Sequence, residues 1–263
     1  MTQQPGTGDS SERPIRLGGA LITMVEPHRG HEVAYNRWYE RDHFYAGCMI
    51  GAWTVQGSRY VATRDLKALR YPKDSPICPD PGSGSYIALY WILAGKLSEW
   101  QRWATDQVRW LHGNGRMFAA RDHVHTAMYR FHGEYRAHED GIPIELALDH
   151  RSPYLVFIVG RLRAGRTLDD VDAFARGRRL GAVAAVFAPV PLLGDAPSDV
   201  PRVDESDQFA LVAFVDGEIG EVWHPTFARL GGELAAANLA DLLFVSPFRK
   251  TVVGTDTYTG ELW

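Results

Sequence analysis

Residues 154–193 read YLVFIVGRLRAGRTLDDVDAFARGRRLGAVAAVFAPVPLL, and they decide the fold because they repeat an order already met at residues 17–63. The apolar run Tyr154 to Arg161 predicts a strand. Thr167 opens a helix through about Arg179, with Asp169, Asp170 and Asp172 near its positive end. Ala182 to Leu193 returns as a strand interrupted by prolines. In the first half the same order is carried by Leu17–Val25, by a helical stretch from His31 to about Tyr45, and by the alternating Ala52–Thr63.

Working outward, each half continues in parallel. The first has a Pro/Gly/Asp loop at Tyr71–Gly84 and a strand at Tyr86–Leu93. A helix from Lys96 to about Asn114 follows, with Ser98 as its cap and Leu97, Trp100, Trp103 and Ala104 on one face, and a strand at His125–Arg136 closes the half. The second has a matching loop at Gly194–Asp207, a strand at Phe209–Val215, a mostly helical Gly217–Ala240 and a last strand at Leu242–Val253. Two β-α-β-β-α-β units in tandem are ferredoxin-like repeats of an α+β fold. The expected boundaries are a tail at 1–15, a first repeat at 16–137, a linker at 138–153 and a second repeat at 154–263. Each sheet leaves one apolar face open, so the two units are expected to pack sheet to sheet into a barrel-like enclosure, with a pocket between sheet and helices.

The chain has 263 residues, 45% of them hydrophobic and 23% charged, with a formal net charge of -4. That balance points away from nucleic acid and anionic membranes. No apolar run is long enough to span a bilayer, and the polar N-terminus reads as a tail and not a signal peptide, so a cytoplasmic protein is expected. Cys48 and Cys78 allow one bridge at most. The run Pro81-Gly82-Ser83-Gly84-Ser85 reads as a turn or mobile loop, because it lacks the phosphate-binding pattern.

Chemistry concentrates in Glu32–Tyr60, EVAYNRWYERDHFYAGCMIGAWTVQGSRY. On a helix Tyr35, Tyr39 and His43 share one face, with Trp38 and Asp42 on a neighbouring stripe. A histidine beside phenols can act as general base or acid, and the phenols can hold a developing oxyanion. The plainer reading makes His43 a helix C-terminal cation and the tyrosines packing.

The run Asn36-Arg37-Trp38-Tyr39-Glu40-Arg41-Asp42-His43, followed by Gly51 and Ser58-Arg59-Tyr60, resembles the N-x-W-Y-x-x-E-H … G … R-x-Y signature of dimeric α+β barrel proteins. That superfamily includes EthD-like proteins, muconolactone isomerases, polyketide cyclases, small monooxygenases and some haem proteins. The resemblance implies that His43 lines a cleft, with Tyr39 and Tyr60 nearby. Asp42 stands where the family usually has Glu. The second half lacks the motif, reading FARGRR around Phe174–Arg179, so a single site is expected in the first repeat.

The expected activity is proton transfer on a small, largely apolar oxygenated substrate, aromatic or polyketide-like, giving isomerisation, cyclisation or elimination without an organic cofactor. His43 would shuttle the proton, Tyr39 and Tyr60 would stabilise the enolate, and Asp42 would orient the imidazole or sit on the helix surface. Tyr35, Trp38, Trp53, Tyr90 and Trp103 would wall the substrate. Three alternatives stay open. His123 and His125, alternating about Val124, face one side and could ligate a metal with a third group from His43, Asp122 or Glu134. His224 would be the iron ligand if the chain resembles tandem-barrel haem proteins. The barrel could also serve a cofactor-free monooxygenase or a ligand-binding protein without chemistry. A homodimer of the tandem chain is a further expectation.

Overall fold

Runs rich in Val, Ile, Phe and Tyr become eight strands in the computed structural model, which describes residues 15–195 and 207–263. Residues 1–14 of the expected tail and most of the 194–207 loop lie outside the described residues. The first repeat runs β1 (Leu17–Pro27), α1 (Glu32–Trp38), β2 (Thr54–Val61), α2 (Arg64–Ala68), β3 (Tyr86–Leu93), α3 (Leu97–Gly113) and β4 (Arg121–Arg136). The second runs β5 (Tyr154–Leu162), α4 (Leu168–Arg178), β6 (Val183–Val190), β7 (Gln208–Val215), α5 (Ile219–Val222), α6 (Leu230–Ala236) and β8 (Ala240–Lys250). Both follow the expected β-α-β-β-α-β order, with the short α2 as an addition that five residues of sequence did not announce.

Two helices widen. α1 continues without a break into a π-helical stretch, Tyr39–Met49, where the Ile50 N–H donates to the Tyr45 carbonyl five residues back at 3.1 Å. α5 passes into a short π turn, Trp223–Phe227, closed by Ala228 N–H on the Trp223 carbonyl at 2.8 Å. Pro225 lies inside that turn; it has no N–H to give, and widening by one residue accommodates it. Ser98 does not cap α3: the helix begins at Leu97, which puts Ser98 in its first turn behind Lys96.

The eight strands close into one antiparallel barrel in the order β1-β3-β2-β8-β5-β7-β6-β4. The repeats therefore join at their edges, and their inner faces meet across the lumen in the expected barrel-like enclosure. β4 pairs with β6 from Met128↔Val190 to Arg136↔Val183, while β2 meets β8 only at Tyr60↔Lys250 and Val61↔Arg249. Edge joining satisfies backbone groups that stacked sheets would leave exposed. The lumen is filled by Tyr60, Trp91, Tyr129, Phe157, Phe187 and Phe214, all buried. The Trp91 ring lies 5.7 Å from Phe187, and its indole N–H donates to the Ile144 carbonyl at 2.9 Å. A barrel packed this way offers no channel, and the cavity that gathers the motif residues lies outside it, beneath the helices.

The Gly/Ser loop before β3 is held rather than mobile. The buried Arg70 donates through Nε to Ser246 Oγ at 2.7 Å and through Nη2 to the Gly84 carbonyl at 2.7 Å, and it also bonds the Ser83 carbonyl. Lys67 Nζ reaches the Gly82 carbonyl at 2.6 Å and that of Leu262 at 3.0 Å. Two cations thus satisfy loop carbonyls that burial takes from water. Cys48 and Cys78 are both buried and free. No described helix is long and apolar enough to cross a membrane.

Candidate active site

Helix α1, its π-helical continuation and α3 cover the outer face of β1, β3 and β4. The buried side chains there form a cluster separate from the barrel core, including Tyr35, Tyr39, Cys48, Tyr86, Tyr90, Trp100 and Met128. They leave a cavity of about 110 Å³. For scale, an apolar cavity of about 150 Å³ holds benzene. Leu21, Thr23, Tyr39, His43, Tyr90, Trp100, Thr105, Val108, Arg121, His123, Thr126 and Met128 are among its lining residues.

The π-helical winding sets the position of His43. Its imidazole stacks on Trp38, five residues earlier, at 4.5 Å and 18°. In an α-helix residues five apart would lie about 140° round the axis; the wider helix brings them into register. The Tyr39 ring meets His43 edge-on at 5.3 Å. Gly47 makes room, since a Cβ there would stand 3.0 Å from His43 Cε1. His43 Nδ1 is buried without a hydrogen-bond partner. Burial, with a smaller contribution from the positive charge of Arg121, lowers its pKa to about 3, so the ring is neutral at pH 7.

Two hydroxyl pairs face this ring. Tyr39 and Tyr90 share one hydrogen bond, Oη to Oη at 2.7 Å. Burial raises both phenol pKa values, so neither ionises near neutrality. Of their two protons one bridges the pair, which leaves the other for a ligand oxygen or for Cys48, whose thiol burial pushes up to about 12. On the opposite wall Thr23 Oγ1 lies 2.8 Å from Thr126 Oγ1, which in turn is 3.0 Å from His123 Nδ1.

Much of the motif that suggested catalysis performs a structural task. Arg59, buried on β2, donates through Nη1 to Asn36 Oδ1 at 3.0 Å and lies 3.5 Å from Glu40 Oε1. Its guanidinium covers the Tyr39 ring at 4.3 Å and that of Tyr86 at 4.9 Å. Asn36 Nδ2 reaches on to the Thr255 carbonyl at 2.9 Å. These contacts fasten the first helix to the sheet and to the chain end, and so hold Tyr39 in place. The motif glycine, Gly51, has an equally plain reason: a Cβ there would come 2.5 Å from Trp103.

The expected site residues divide accordingly. Tyr39, His43 and Tyr90 line the cavity, with Trp38 directly behind His43. Tyr60 does not join them. Strand alternation sends Arg59 outward and Tyr60 into the barrel, 6.4 Å from Phe214. Asp42 turns away from the imidazole to Arg116, with Nε 3.3 Å from its Oδ2. Tyr35 packs among Trp38, Tyr86 and Phe118 behind the wall, Trp103 lies on Gly51, and Trp53 sits under Lys96 at 5.4 Å. Trp110, farther along α3, is half exposed.

His123 and His125 face opposite ways. A β-bulge where β1 shifts from Met24 to Val25 places Val124 as an extra residue, so His123 lines the cavity while His125 enters the barrel, 2.9 Å from Tyr129 Oη. The H-x-H ligand pair is thereby undone. Among the described residues no group of three His, Cys, Asp or Glu could hold a metal. Haem does not fit at His224 either: the residue is exposed, and the space beneath it is filled by the stacked rings of Trp223 and Phe227, 5.9 Å apart. Thr23, Arg121 and Thr126 are site residues that the sequence reading missed. A polar residue amid the apolar β1 run was the one available signal, and it was silent without the strand register.

No family model matches the chain, and no curated protein matches it in sequence. Solved structures do. An anthrone oxidase-like protein aligns at a TM-score of 0.53 with 11% identity, over 92% of this chain and 98% of its own. A candidate monooxygenase from Fusobacterium nucleatum aligns at 0.49 with 8% identity, over 90% and 94% of the two chains. A haem-binding protein from Thermus thermophilus aligns at 0.47 with 8% identity, over 93% and 96%. The fold is that of the ferredoxin-like dimeric α+β barrel, with both halves in one chain.

Proposed function

We propose that the protein is an enzyme that moves a proton on a small oxygenated ring compound without an organic cofactor. The observation that carries this reading is the meeting, on one apolar cavity, of a neutral and unpartnered His43 with the Tyr39–Tyr90 phenol pair. His43 takes a proton from a carbon beside a carbonyl, and the electrons move to the carbonyl oxygen as an enolate. The free phenol proton of the Tyr39–Tyr90 pair donates a hydrogen bond to that oxygen; because both phenols resist ionisation they stay donors throughout. The imidazolium then returns the proton at another carbon, which isomerises the substrate, or to a leaving hydroxyl, which eliminates water. Tyr60 and Asp42 have no part in this scheme.

Within the aromatic or polyketide-like class, the cavity's small volume favours single rings. The same enolate could be captured by dioxygen, a reading favoured by the largely apolar lining and consonant with the anthrone oxidase-like fold relative. Deuterium uptake tests the shared first step without a known product. In D2O the protein should accelerate exchange of the α-hydrogens of cyclohexanone-like ring ketones, and His43→Ala should abolish the acceleration while the protein stays folded. Equal exchange by wild type and His43→Ala would refute the assignment. Oxygen consumption during exchange would select the oxygenase branch.

A further inference from the structure

We infer that Leu192, a side chain the second repeat lends to the cavity beneath α3, determines substrate size: it admits one ring and refuses a second fused to it. This assigns a specificity residue to the proposed proton transfer and rests on that reading. Edge joining of the two sheets brings the residue there. β6 pairs with β4 as far as Met128↔Val190, and Met128 lines the cavity. Pro191 follows, with no N–H to continue the ladder, and the chain leaves the sheet. Residues two apart on an extended segment face the same way, and Val190 and Leu192 both pack against the buried cluster that surrounds the cavity. Among the described residues, Leu192 is the one cavity-lining side chain from the second repeat.

Helix α3 holds this segment on both sides of the leucine. Before it, Gln101, buried on the cavity wall, donates through Nε2 to the Pro191 carbonyl at 2.9 Å. After it, Arg102 Nη1 reaches Asp195 Oδ2 at 2.9 Å. Arg109 Nη2 lies 2.7 Å from the same oxygen and donates to the Asp195 carbonyl at 2.6 Å. A single surface ion pair is weak, but two arginines on one carboxylate form a network. The wall at Leu192 is thus held in place, and a ligand that needs more room must displace it or forgo its contacts. The Tyr39–Tyr90 pair bonds an oxygen that one-ring and two-ring compounds share, so ring number is read by the apolar wall. Leu21 and Met128 stand on barrel strands and Val108 on α3, whereas Leu192 stands outside every helix and strand. Its side chain can therefore be exchanged without disturbing the barrel or its cover.

Calorimetric titration with phenol and with 2-naphthol, which carries one more fused ring on the same hydroxyl, tests this without turnover. The wild type should prefer phenol by about tenfold or more. Leu192→Ala should erase that preference by gaining affinity for 2-naphthol, a gain that loss of structure cannot produce. Leu192→Phe should weaken phenol, and Leu192→Met should keep the wild-type preference. Asp195→Asn, an exposed change that releases the far end of the segment, should relax the preference in the same direction by a smaller factor. In the exchange assay Leu192→Ala should raise the rate with the two-ring ketone 1-tetralone about tenfold while cyclohexanone changes less than about twofold. Equal affinities in the wild type, no binding of either compound, or a phenol preference that survives Leu192→Ala would overturn the inference. Should His43→Ala retain ketone exchange while Leu192→Ala still admits 2-naphthol, the proton-transfer reading fails and the size limit stands.

Discussion

Beneath α4 and α6 the second repeat buries Val171, Ala175, Trp223, Phe227, Leu230 and Leu234, none more than 2% exposed, in a core continuous with the barrel lumen. Beneath α3 and the π-helical stretch the first repeat sets His43, Tyr39, Tyr90, Thr23, Thr126 and His123 around open space. The two covers share one topology and differ in two physical respects. The long π-helical widening falls beside the sheet in the first repeat, where it stacks His43 on Trp38; the short one in the second answers a proline and closes over stacked carbon rings. Polar groups occur in the first layer in mutually bonded pairs, which lets them stay buried without collapsing the cavity. On the proposed reading, the second half stabilises the barrel and the first carries the chemistry.

The sharpest way to break this comparison is to exchange the kinds of damage. His43→Ala should lower the ketone exchange rate by about 10² to 10⁴, the usual span for a general base, with little change in melting temperature. Trp223→Ala should destabilise the fold by about 3 to 5 kcal/mol through the cavity it opens, yet leave the rate per folded molecule unchanged. Denaturant titration and the exchange assay read the two effects separately. A stability loss in the first and a rate loss in the second would invert the proposed division.

Much of this was legible in the sequence. Apolar runs such as YIALYWIL and YLVFIVGR announced strands because buried strands need them, and their recurrence with matching helices gave the tandem repeat. Tyr39 and His43, placed on one face by α-helical spacing, do line one cavity, whereas Tyr35, placed with them, packs behind its wall and Trp38, placed on a neighbouring stripe, stacks on His43. What stayed hidden depends on register. Whether Arg59 or Tyr60 faces the helices is a one-residue question that alternation poses and cannot answer. The bulge at Val124 has no residue signature, so the apparent pairing of His123 with His125 was misleading. Arg121, far from the motif in sequence, joins the site only through the β1–β4 pairing.

Smaller effects refine the picture. Tyr39→Phe removes one phenol proton from the pair and should slow exchange by about 10², the low end for loss of an oxyanion donor; an unchanged rate would remove the phenols from the mechanism. Gly47→Ala pushes a methyl toward His43 Cε1 and should cost about tenfold in rate through misplacement of the base. A crystal structure of that variant should show the imidazole displaced from Trp38.

The mildest effect is on acid stability. Burial lowers His125 to about 4 and His43 to about 3, both from an ordinary value of 6.5. The unfolded chain therefore binds these protons first as pH falls. The stability associated with the neutral rings is complete above about pH 6.5 and is lost progressively as pH drops toward 4 and 3. Denaturant titrations at pH 7.5 and 5.5 should differ by about 1 kcal/mol for each such histidine. A stability independent of pH across that interval would mean that the rings are not held neutral.

The central claim is that the layer beneath α3 and the π-helical stretch holds the ligand cavity, with His43 on its wall. A crystal structure of the protein soaked in phenol tests it most directly. The account predicts one ring between His43 and Thr126, its oxygen toward the Tyr39–Tyr90 pair, and none beneath Trp223 and Phe227. Phenol bound under the second repeat, or an unfilled first cavity at saturating phenol, would contradict it.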